Sequence, residues 1–318
     1  MSVVFKRTQN LFKGLGIFGV LILLIVIAAM VSPQFLELNN IVNLLRQISI
    51  IGIIAIGMTF VILAKGIDLS VGSTVAVVAV ICADLFSSGV PVFLVLLIGL
   101  LTGILVGSIN GLGIAIGGIP PFVMTLGLMV AGRGVAMTYA NGQPISIGEA
   151  SQKISWLGHG TVGGIPVPVI VFLIVIIIGF IILKYTAFGR AVYAVGDNKE
   201  AARLSGINVN LIEFSTYAIS GLCAAITALI LLSRLTVGEP SAGVEYELEA
   251  IAMVVIGGTS LFGGIGSVIG TAVGASIIGI ISNVLNLVGI NPFTQQVIKG
   301  AIIILAVYIE ARRTRSKE

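Results

Sequence analysis

The sequence is poor in the charged residues with which soluble proteins cover their surface. Only 9% of its 318 residues are charged, whereas 57% are hydrophobic. The mean hydropathy is +1.17. An average soluble domain has roughly a quarter charged residues. A soluble fold could not cover so apolar a chain with polar groups, and the composition therefore indicates a membrane protein.

Histidine and cysteine are nearly absent. His159 is the only histidine, and the two cysteines, Cys82 and Cys223, lie in separate apolar runs. A single histidine argues against a histidine-based metal site and against a histidine general base. Cysteines in apolar runs are typical of small buried hydrophobic residues. With no paired acid–base or metal constellation, we predict neither an enzyme nor a metal site.

Nucleotide-binding motifs are also missing. The sequence has no G-x4-G-K-[ST] motif, which ATPases use to hold phosphates. Gly14, Gly16 and Gly19 match the dinucleotide fingerprint in letters only, because no strand precedes them. We therefore expect no cofactor on this chain, and any ATP that drives its work would bind a separate polypeptide.

Long apolar runs dominate what is present. A membrane-spanning helix needs about 20 apolar residues, and ten runs of suitable character occur, of which the eighth is short and extends back toward Tyr246. They cover approximately residues 15–31, 41–64, 73–86, 92–116, 122–139, 169–183, 211–232, 250–261, 267–287 and 293–309. The first run is longer than the apolar region of a signal peptide and is predicted to be retained as a span.

Ten spans place both termini on one side of the membrane. Basic residues favour the cytoplasmic side of span ends. With a cytoplasmic start, that side receives Lys6, Arg7, Lys13, Lys65, Lys184, Arg190, Lys199, Arg203, Arg312, Arg313, Arg315 and Lys317. The outer side receives only Arg46, Lys153 and Arg234.

We therefore predict an all-α polytopic membrane protein with about ten spans, broken or re-entrant glycine-rich segments, and both termini in the cytoplasm. Residues 1–318 are expected to form a single transmembrane domain. Its cytoplasmic loop covers about residues 186–210 and its outer loop about residues 141–168.

Spaced glycines recur within the apolar runs. Gly103, Gly107 and Gly111 follow one another at intervals of four, as do Gly266, Gly270 and Gly274. This spacing is typical of helices that pack closely in lipid. It predicts close helix contacts in the fourth and ninth runs.

Polar groups in or beside apolar runs are candidates for a translocation path, because their burial in hydrocarbon is costly. Asp68 and Ser70 in GIDLSVGS either cap the third span or contribute to such a path. Asn110, Asn283 and Asn286 either bond neighbouring helices or bind a polyol. Other carboxylates are scarce within the spans, which argues against a proton- or sodium-coupled carrier.

One polar stretch interrupts the apolar pattern between the sixth and seventh runs. The segment from Gly196 to Gly206 is predicted as a short amphipathic helix in the cytoplasm. Ala201, Ala202, Leu204 and Ile207 offer it an apolar face. Such a helix needs a partner outside the bilayer, and we interpret it as the contact for a cytoplasmic motor.

Four segments together resemble the permease subunits of bacterial ABC importers for simple sugars. They are AIGMTFVILAKGIDLSVGS, TLGLMVAGRGVAMTYANGQPI, FGRAVYAVGDNKEAARLSGINV and YELEAIAMVVIGGTSLFGGIGSVIGT. The resemblance covers the chain after its N-terminus. It implies import of a monosaccharide, ribose or a similar pentose, across the bacterial cytoplasmic membrane by alternating access.

The resemblance also implies partners. They are a second copy of the permease, an ABC ATPase with two nucleotide sites that binds ATP and Mg²⁺, and a periplasmic or lipoprotein sugar-binding protein, with no nucleic acid. The ATPase would dock on the predicted cytoplasmic helix. Its residues are Gly196, Asp197, Asn198, Lys199, Glu200, Ala201, Ala202, Arg203, Leu204, Ser205 and Gly206.

Two alternatives stay open. An importer of the same family could carry another substrate, such as xylose, galactose, a nucleoside, a signal furanone or a branched-chain amino acid. A secondary carrier driven by an ion gradient would instead need no ATPase.

Overall fold

The structure, a computed structural model, describes the backbone of residues 2–315 and the side chains of residues 16–308 except 303 and 306. Helices make up nearly all of it. In chain order they are α1 (Ser2–Val31), a 3₁₀ helix (Pro33–Leu36), α2 (Leu38–Leu63), α3 (Val71–Ser87), α4 (Val92–Ala115), α5 (Pro121–Tyr139), α6 (Ala150–Gly158), α7 (Val167–Tyr185), α8 (Ala187–Asp197), α9 (Lys199–Leu204), α10 (Val209–Leu235), α11 (Tyr246–Ile256), α12 (Val268–Leu287) and α13 (Pro292–Arg315).

Four two-residue strands complete the described chain. Ile145–Ser146 (β1) pairs antiparallel with Val237–Gly238 (β4). Thr161–Val162 (β2) pairs antiparallel with Ile165–Pro166 (β3). Both pairs involve the loop predicted to lie outside the membrane, which also contains α6. The sequence predicted this loop over about residues 141–168 without specifying its internal structure.

Each of the ten apolar runs corresponds to one long or medium helix. Within the described residues, six helices are long and apolar enough to cross a membrane: α2, α4, α5, α7, α10 and α12. The helix α3 has only 17 residues and α11 only 11. The helical, membrane-spanning character is thus confirmed, whereas ten spans and cytoplasmic termini stay predictions.

The core of the bundle lies between α2, α10 and α12. Most residues of these helices are buried, whereas α4, α5 and α7 expose most of their apolar side chains. A helix that is hydrophobic all round is either buried or surrounded by lipid. The exposed residues of α4, α5 and α7 therefore form the apolar surface that a bilayer would cover.

The spaced glycines of α4 pack against α10 as predicted. A Cβ atom on Gly103 would lie 2.4 Å from the carbonyl oxygen of Gly221, and one on Gly107 would lie 2.2 Å from that of Tyr217. Gly270 and Gly274 of α12 approach the carbonyl oxygens of Gly257 and Met253 equally closely. No side chain fits between these backbones, so glycine sets how near the helices come.

Two glycine-containing breaks divide the buried helices, as predicted. Residues 64–70 separate α2 from α3, and residues 257–267 separate α11 from α12. The breaks touch each other, because the Gly264 N–H donates to the Leu63 carbonyl at 3.0 Å. The predicted eighth run extended to residue 261, but α11 already ends at Ile256. The glycine pair Gly257–Gly258 ends it, since Gly258 has a φ of +85°.

A third non-helical segment, residues 236–245, runs alongside α3. Gly238 packs on Ala79 and Ala83, and Gly243 packs on Gly72 in the first turn of α3. Arg133 of α5 donates to the carbonyls of Pro240 and Ala242 at 2.9 and 2.8 Å. Irregular backbone inside a membrane protein needs such internal partners.

The bundle has two distinct ends. At one end, the last turn of α2 meets α8 and the 257–267 break, and α9 lies beside them; we call this the α9 end. At the other end, α6 packs on the last turn of α10, where the Ser233 hydroxyl donates to the Ile154 carbonyl at 2.6 Å; we call this the α6 end.

Candidate functional site

The polar stretch between the sixth and seventh runs forms two helices rather than one. The sequence prediction placed a single helix from Gly196 to Gly206, but α8 ends at Asp197 and α9 covers only Lys199–Leu204. Asn198 causes the break, since its backbone is extended and its side-chain oxygen accepts from the Ala201 N–H at 2.9 Å. An asparagine in this position starts a new helix.

Gly196 has a different environment from the rest of the predicted docking helix. It is buried in the last turn of α8, where a Cβ atom would lie 1.7 Å from the Leu63 carbonyl oxygen and 2.6 Å from the Gly264 nitrogen. Asp197 also contacts this junction, through Gly264. Gly196 therefore joins the docking segment to the two breaks of the bundle and does not itself form exposed surface.

The exposed part of the segment is α9 with its flanking residues. Leu204 is 82% exposed, whereas Ala202 is only 3% exposed. The predicted apolar face of four residues is therefore wrong, because a six-residue helix turns Ala202 inward and Leu204 outward. The exposed members of the predicted site are Asp197, Asn198, Lys199, Glu200, Ala201, Arg203, Leu204, Ser205 and Gly206.

An ion pair ties α9 to the buried helix α10. Lys199 Nζ lies 2.7 Å from Glu213 Oε1, and the Glu213 side chain is only 10% exposed. A half-buried pair of this kind is screened less than a surface pair. The exposed pair of Arg203 and Glu200, at 3.2 Å, is of the type that contributes little. The Lys199–Glu213 pair is thus a direct polar contact between α9 and the bundle.

The tyrosine of α8 strengthens the same junction. The Tyr193 hydroxyl donates to the Gly266 carbonyl at 2.9 Å. Burial raises the pKa of Tyr193 above its ordinary value, and the phenol therefore stays a neutral donor. Through this hydrogen bond, a displacement of α8 and α9 would also displace the 257–267 break.

Three of the five predicted path residues come together in the interior. Asp68 Oδ1 accepts from the Ser70 N–H at 3.0 Å and from the Ser70 hydroxyl at 2.7 Å. Asn110 Nδ2 donates to the Ser70 hydroxyl at 2.7 Å and lies 3.4 Å from Asp68 Oδ1. All three residues are at most 1% exposed. We call them, with Ser220, the Asp68 cluster.

Ser220 of α10 completes this cluster, and sequence reasoning missed it. Its hydroxyl donates to Asp68 Oδ2 at 2.8 Å. One turn away, the Tyr217 hydroxyl donates to the Ile67 carbonyl at 3.3 Å. One face of α10 carries Glu213, Tyr217 and Ser220. This spacing was the sequence signal that could have identified Ser220 as part of a polar face. That face joins the α9 contact to the Asp68 cluster.

The alternative explanation of Asp68 and Ser70 as caps holds only in part. Ser70 precedes α3 directly, but its side chain makes no capping hydrogen bond. Asp68 accepts a hydrogen bond from the backbone N–H of Ser70, which precedes α3, and not from an N–H within the helix. The carboxylate therefore shapes the turn before α3.

The other two predicted path residues lie elsewhere. Asn283 and Asn40 exchange hydrogen bonds at 3.1 and 2.8 Å, which joins α12 to α2. Asn286 accepts from Gln295 at 2.8 Å, which joins α12 to α13. Both asparagines thus bond neighbouring helices, and their use in a path stays a prediction.

Two further carboxylates, Glu247 and Glu249, lie partly buried in the first turn of α11. Glu247 lies against Gly72 of α3 and interacts with Arg133. Glu249 pairs with Lys299 of α13. The sequence places both glutamates where the polar loop meets the eighth run, which extends back toward Tyr246.

A cavity of about 360 Å³ lies between α2, α10 and the start of α11; we call it the α2–α10–α11 cavity. It is lined by Gln47, Ile50, Ile51, Leu231, Arg234, Val244, Glu245, Tyr246 and Glu249. The lining thus combines polar and aliphatic side chains. A larger cleft of about 490 Å³ follows the exposed side of α5. That cleft offers only Thr138 and Tyr139 as polar groups, and Tyr139 already donates to Asp84.

Within the described residues, no three histidine, cysteine, aspartate or glutamate side chains are grouped to hold a metal ion. The chemistry available in this part of the chain is therefore polar recognition and conformational contact. A helical bundle with broken buried helices, a partly open polar cavity and an exposed polar segment at one end is typical of a multi-pass membrane transport protein.

The chain belongs to the family described as branched-chain amino acid transport system / permease component, whose model matches residues 40–307. It is 48% identical over 292 residues to the ribose import permease protein RbsC of Haemophilus influenzae, covering 91% of this chain and 90% of that protein. It is 44% identical over 306 residues to RbsC of Bacillus subtilis, covering 96% and 95%. The xylose transport system permease protein XylH of Escherichia coli is 37% identical, with 88% and 87% covered. No solved structure matches the chain.

Proposed function

We propose that this chain is the transmembrane permease subunit of an ATP-driven importer that carries ribose, or a similar pentose, into the bacterial cytoplasm. The identity of 48% to a ribose import permease over almost the whole of both chains carries this proposal. Xylose permease is also similar, at 37% identity, and supports the broader class of simple sugars. Residues 1–318 act as one transmembrane domain.

The importer that we propose contains further subunits. A second copy of this chain completes the membrane part, and a periplasmic or lipoprotein sugar-binding protein delivers the substrate. An ABC ATPase with two sites binds ATP and Mg²⁺, so this chain needs no nucleotide site of its own.

The coupling surface is α9 with its flanking residues. Support comes from the exposed Leu204 beside charged residues, because an apolar side chain at 82% exposure can be buried by a partner while charges at the rim set its register. A displacement of this surface is transmitted to α10 through Lys199. It is transmitted to the two glycine-containing breaks through Gly196. The α9 end then faces the cytoplasm, and the α6 end faces the binding protein.

Uptake of radiolabelled ribose tests the substrate and the energy source together. Cells without their own ribose transport, expressing this chain with its ATPase and binding protein, are expected to accumulate ribose. Accumulation should persist with an ionophore as long as ATP is present, because ATP drives the cycle. Uptake that stops with the ionophore while ATP is intact identifies an ion-coupled carrier instead. Uptake of xylose, galactose, a nucleoside or leucine without ribose assigns another substrate.

Leu204→Asp tests the coupling surface. Burying a leucine in an interface contributes about 1.5–3 kcal/mol, and an aspartate in its place would carry an uncompensated charge. We expect ribose uptake to fall roughly tenfold or more, with a matching loss of ATPase from the purified complex. Membrane insertion should not change, because Leu204 has few contacts within the chain.

Two controls accompany this variant. Leu204→Met preserves the apolar contact and should keep normal uptake. Val162→Asp places the same charge on the β2–β3 hairpin, where Val162 is 63% exposed, and should leave ATPase binding intact. Normal uptake in Leu204→Asp would remove α9 as the coupling surface.

A further inference from the structure

The α2–α10–α11 cavity has the size and lining of a small-molecule site. Its volume of about 360 Å³ lies at the lower end of ligand pockets, which cover about 300–1,000 Å³. That size suits a single monosaccharide. Ile50, Ile51 and Leu231 form an aliphatic wall, against which the C–H groups of a sugar ring can pack.

Three polar side chains of the cavity wall make no hydrogen bond to another described residue. They are the Gln47 amide, the Arg234 guanidinium and the Tyr246 hydroxyl; Gln47 is exposed, and the other two are partly buried. They come from three separate elements, namely α2, the last turn of α10 and the first turn of α11. Partly buried polar groups such as those of Arg234 and Tyr246 normally have hydrogen-bond partners. Convergent groups that are not yet satisfied can bind the hydroxyl groups of a ligand.

The two carboxylates of the wall are already positioned by neighbours. Gln296 donates to both oxygens of Glu245, at 3.0 and 2.9 Å, and Lys299 pairs with Glu249. The wall itself has one positive group, Arg234, and two negative groups; the charge is balanced once Lys299, which pairs with Glu249 from outside the wall, is included. A balanced wall with free donors and acceptors suits a neutral polyol and disfavours an anion such as a phosphorylated sugar.

The location of the cavity fits a substrate that arrives at the α6 end. Arg234 lies one residue before the end of α10, at the end of the bundle opposite α9. The same helix reaches the α9 contact through Glu213. A movement of α10 that follows α9 would therefore also displace Arg234 and change the shape of the cavity.

We infer that the α2–α10–α11 cavity is a transient binding site for a neutral monosaccharide, in which Gln47, Arg234 and Tyr246 bind sugar hydroxyls. The cavity is only partly enclosed. Binding is therefore weak and release is fast, as translocation requires. This inference rests on the proposed import function and names residues for it.

Uptake into proteoliposomes that contain the complete importer tests this site. Because the binding protein captures the sugar, the apparent KM belongs to that protein, and the cavity affects the maximal rate. Gln47→Ala and Tyr246→Phe are each expected to lower the maximal rate of ribose uptake roughly two- to tenfold, the range of one net hydrogen bond. The KM for ribose and the amount of assembled complex should not change.

A change in selectivity separates binding from a structural role. If Gln47, Arg234 and Tyr246 touch the sugar, Arg234→Lys should alter the ratio of the ribose and xylose rates, because these pentoses present their hydroxyls differently. Gln47→Trp should block uptake by filling the cavity from its exposed side. Gln143→Ala and Tyr185→Phe, at exposed positions outside the cavity, are the matched controls and should behave as the wild type.

The results distinguish this inference from the proposed function. Wild-type protein that imports no sugar contradicts the proposed function. Wild-type uptake that Gln47→Trp and Tyr246→Phe leave unchanged, at an unchanged ribose-to-xylose ratio, overturns the cavity site alone.

Discussion

Replacing Gly196 with valine is expected to prevent assembly of a folded permease. A Cβ atom at this position would lie 1.7 Å from the Leu63 carbonyl oxygen and 2.6 Å from the Gly264 nitrogen. These two atoms are themselves hydrogen-bonded at 3.0 Å. All the atoms concerned belong to the backbone, so a side chain can be accommodated only if α8, α2 and the 257–267 break separate.

Such a separation would break the junction on which the proposed coupling depends. Gly196→Val is expected to yield little monodisperse protein after detergent extraction, as measured by size-exclusion chromatography. Gly196→Ala carries the same Cβ atom, so it should also lower the yield and the unfolding temperature, by more than the roughly 1–3 kcal/mol of ordinary overpacking. Its ribose uptake should also fall.

The matched control is Gly19→Ala. Gly19 is also a helical glycine, but a Cβ atom there would meet nothing within 4 Å. This variant should keep the yield, the unfolding temperature and the uptake of the wild type. A Gly196→Val protein with a normal unfolding temperature and normal uptake would show that the junction is not closely packed.

Asp68→Ala is expected to have the second large effect. The carboxylate accepts from the Ser70 N–H, the Ser70 hydroxyl and the Ser220 hydroxyl, at 3.0, 2.7 and 2.8 Å. Without it, these donors are buried and lack an acceptor, and each unsatisfied group costs about 1–3 kcal/mol. We expect a loss of about 3–5 kcal/mol in the free energy of unfolding, measured as a strongly lowered unfolding temperature in detergent.

Asp84→Ala is the matched control for Asp68→Ala. Asp84 binds a single partner, Tyr139, at the edge of the bundle, where a lost hydrogen bond can be replaced by water. Its removal should cost no more than about 1 kcal/mol. Equal unfolding temperatures for Asp68→Ala and Asp84→Ala would contradict the assignment of Asp68 as a structural centre.

Asp68→Asn separates a structural role from a role in translocation. The amide has the same size but presents one acceptor oxygen fewer, and stability should fall less than in Asp68→Ala. If the variant keeps its unfolding temperature but loses ribose uptake, the carboxylate takes part in translocation. If stability and uptake fall together, Asp68 serves the fold.

The long helices could be predicted from the sequence with little ambiguity. Apolar runs of membrane-spanning length have few alternatives to helix, because every backbone group must be satisfied inside the segment. The spaced glycines of α4 predicted close packing because they lack a side chain, and the approach of Gly103 and Gly107 to α10 confirmed it. The polar segment before α10 was also recognisable, since polar residues contrasted with apolar ones on both sides.

Contacts between distant segments could not be predicted in the same way. The spacing of Ser220 from Glu213 and Tyr217 indicates a shared polar face of α10, but nothing in the sequence indicates that this face meets Asp68. Glu247 follows a polar loop and therefore resembled a surface residue. Its contact with Gly72 of α3 depends on the path of residues 236–245 along α3, which Arg133 stabilises through two carbonyls.

The sequence by itself determined a helical membrane protein, its approximate spans, its exposed polar segment and its resemblance to sugar permeases. These features depend on local hydrophobicity, length and spacing, and each can be recognised within a few turns of chain. The tertiary structure decided where α8 ends, which polar side chains meet at Asp68, and which line the α2–α10–α11 cavity. Those results depend on how the three non-helical segments pack between helices, and the carbonyls and glycines responsible are far apart in the sequence.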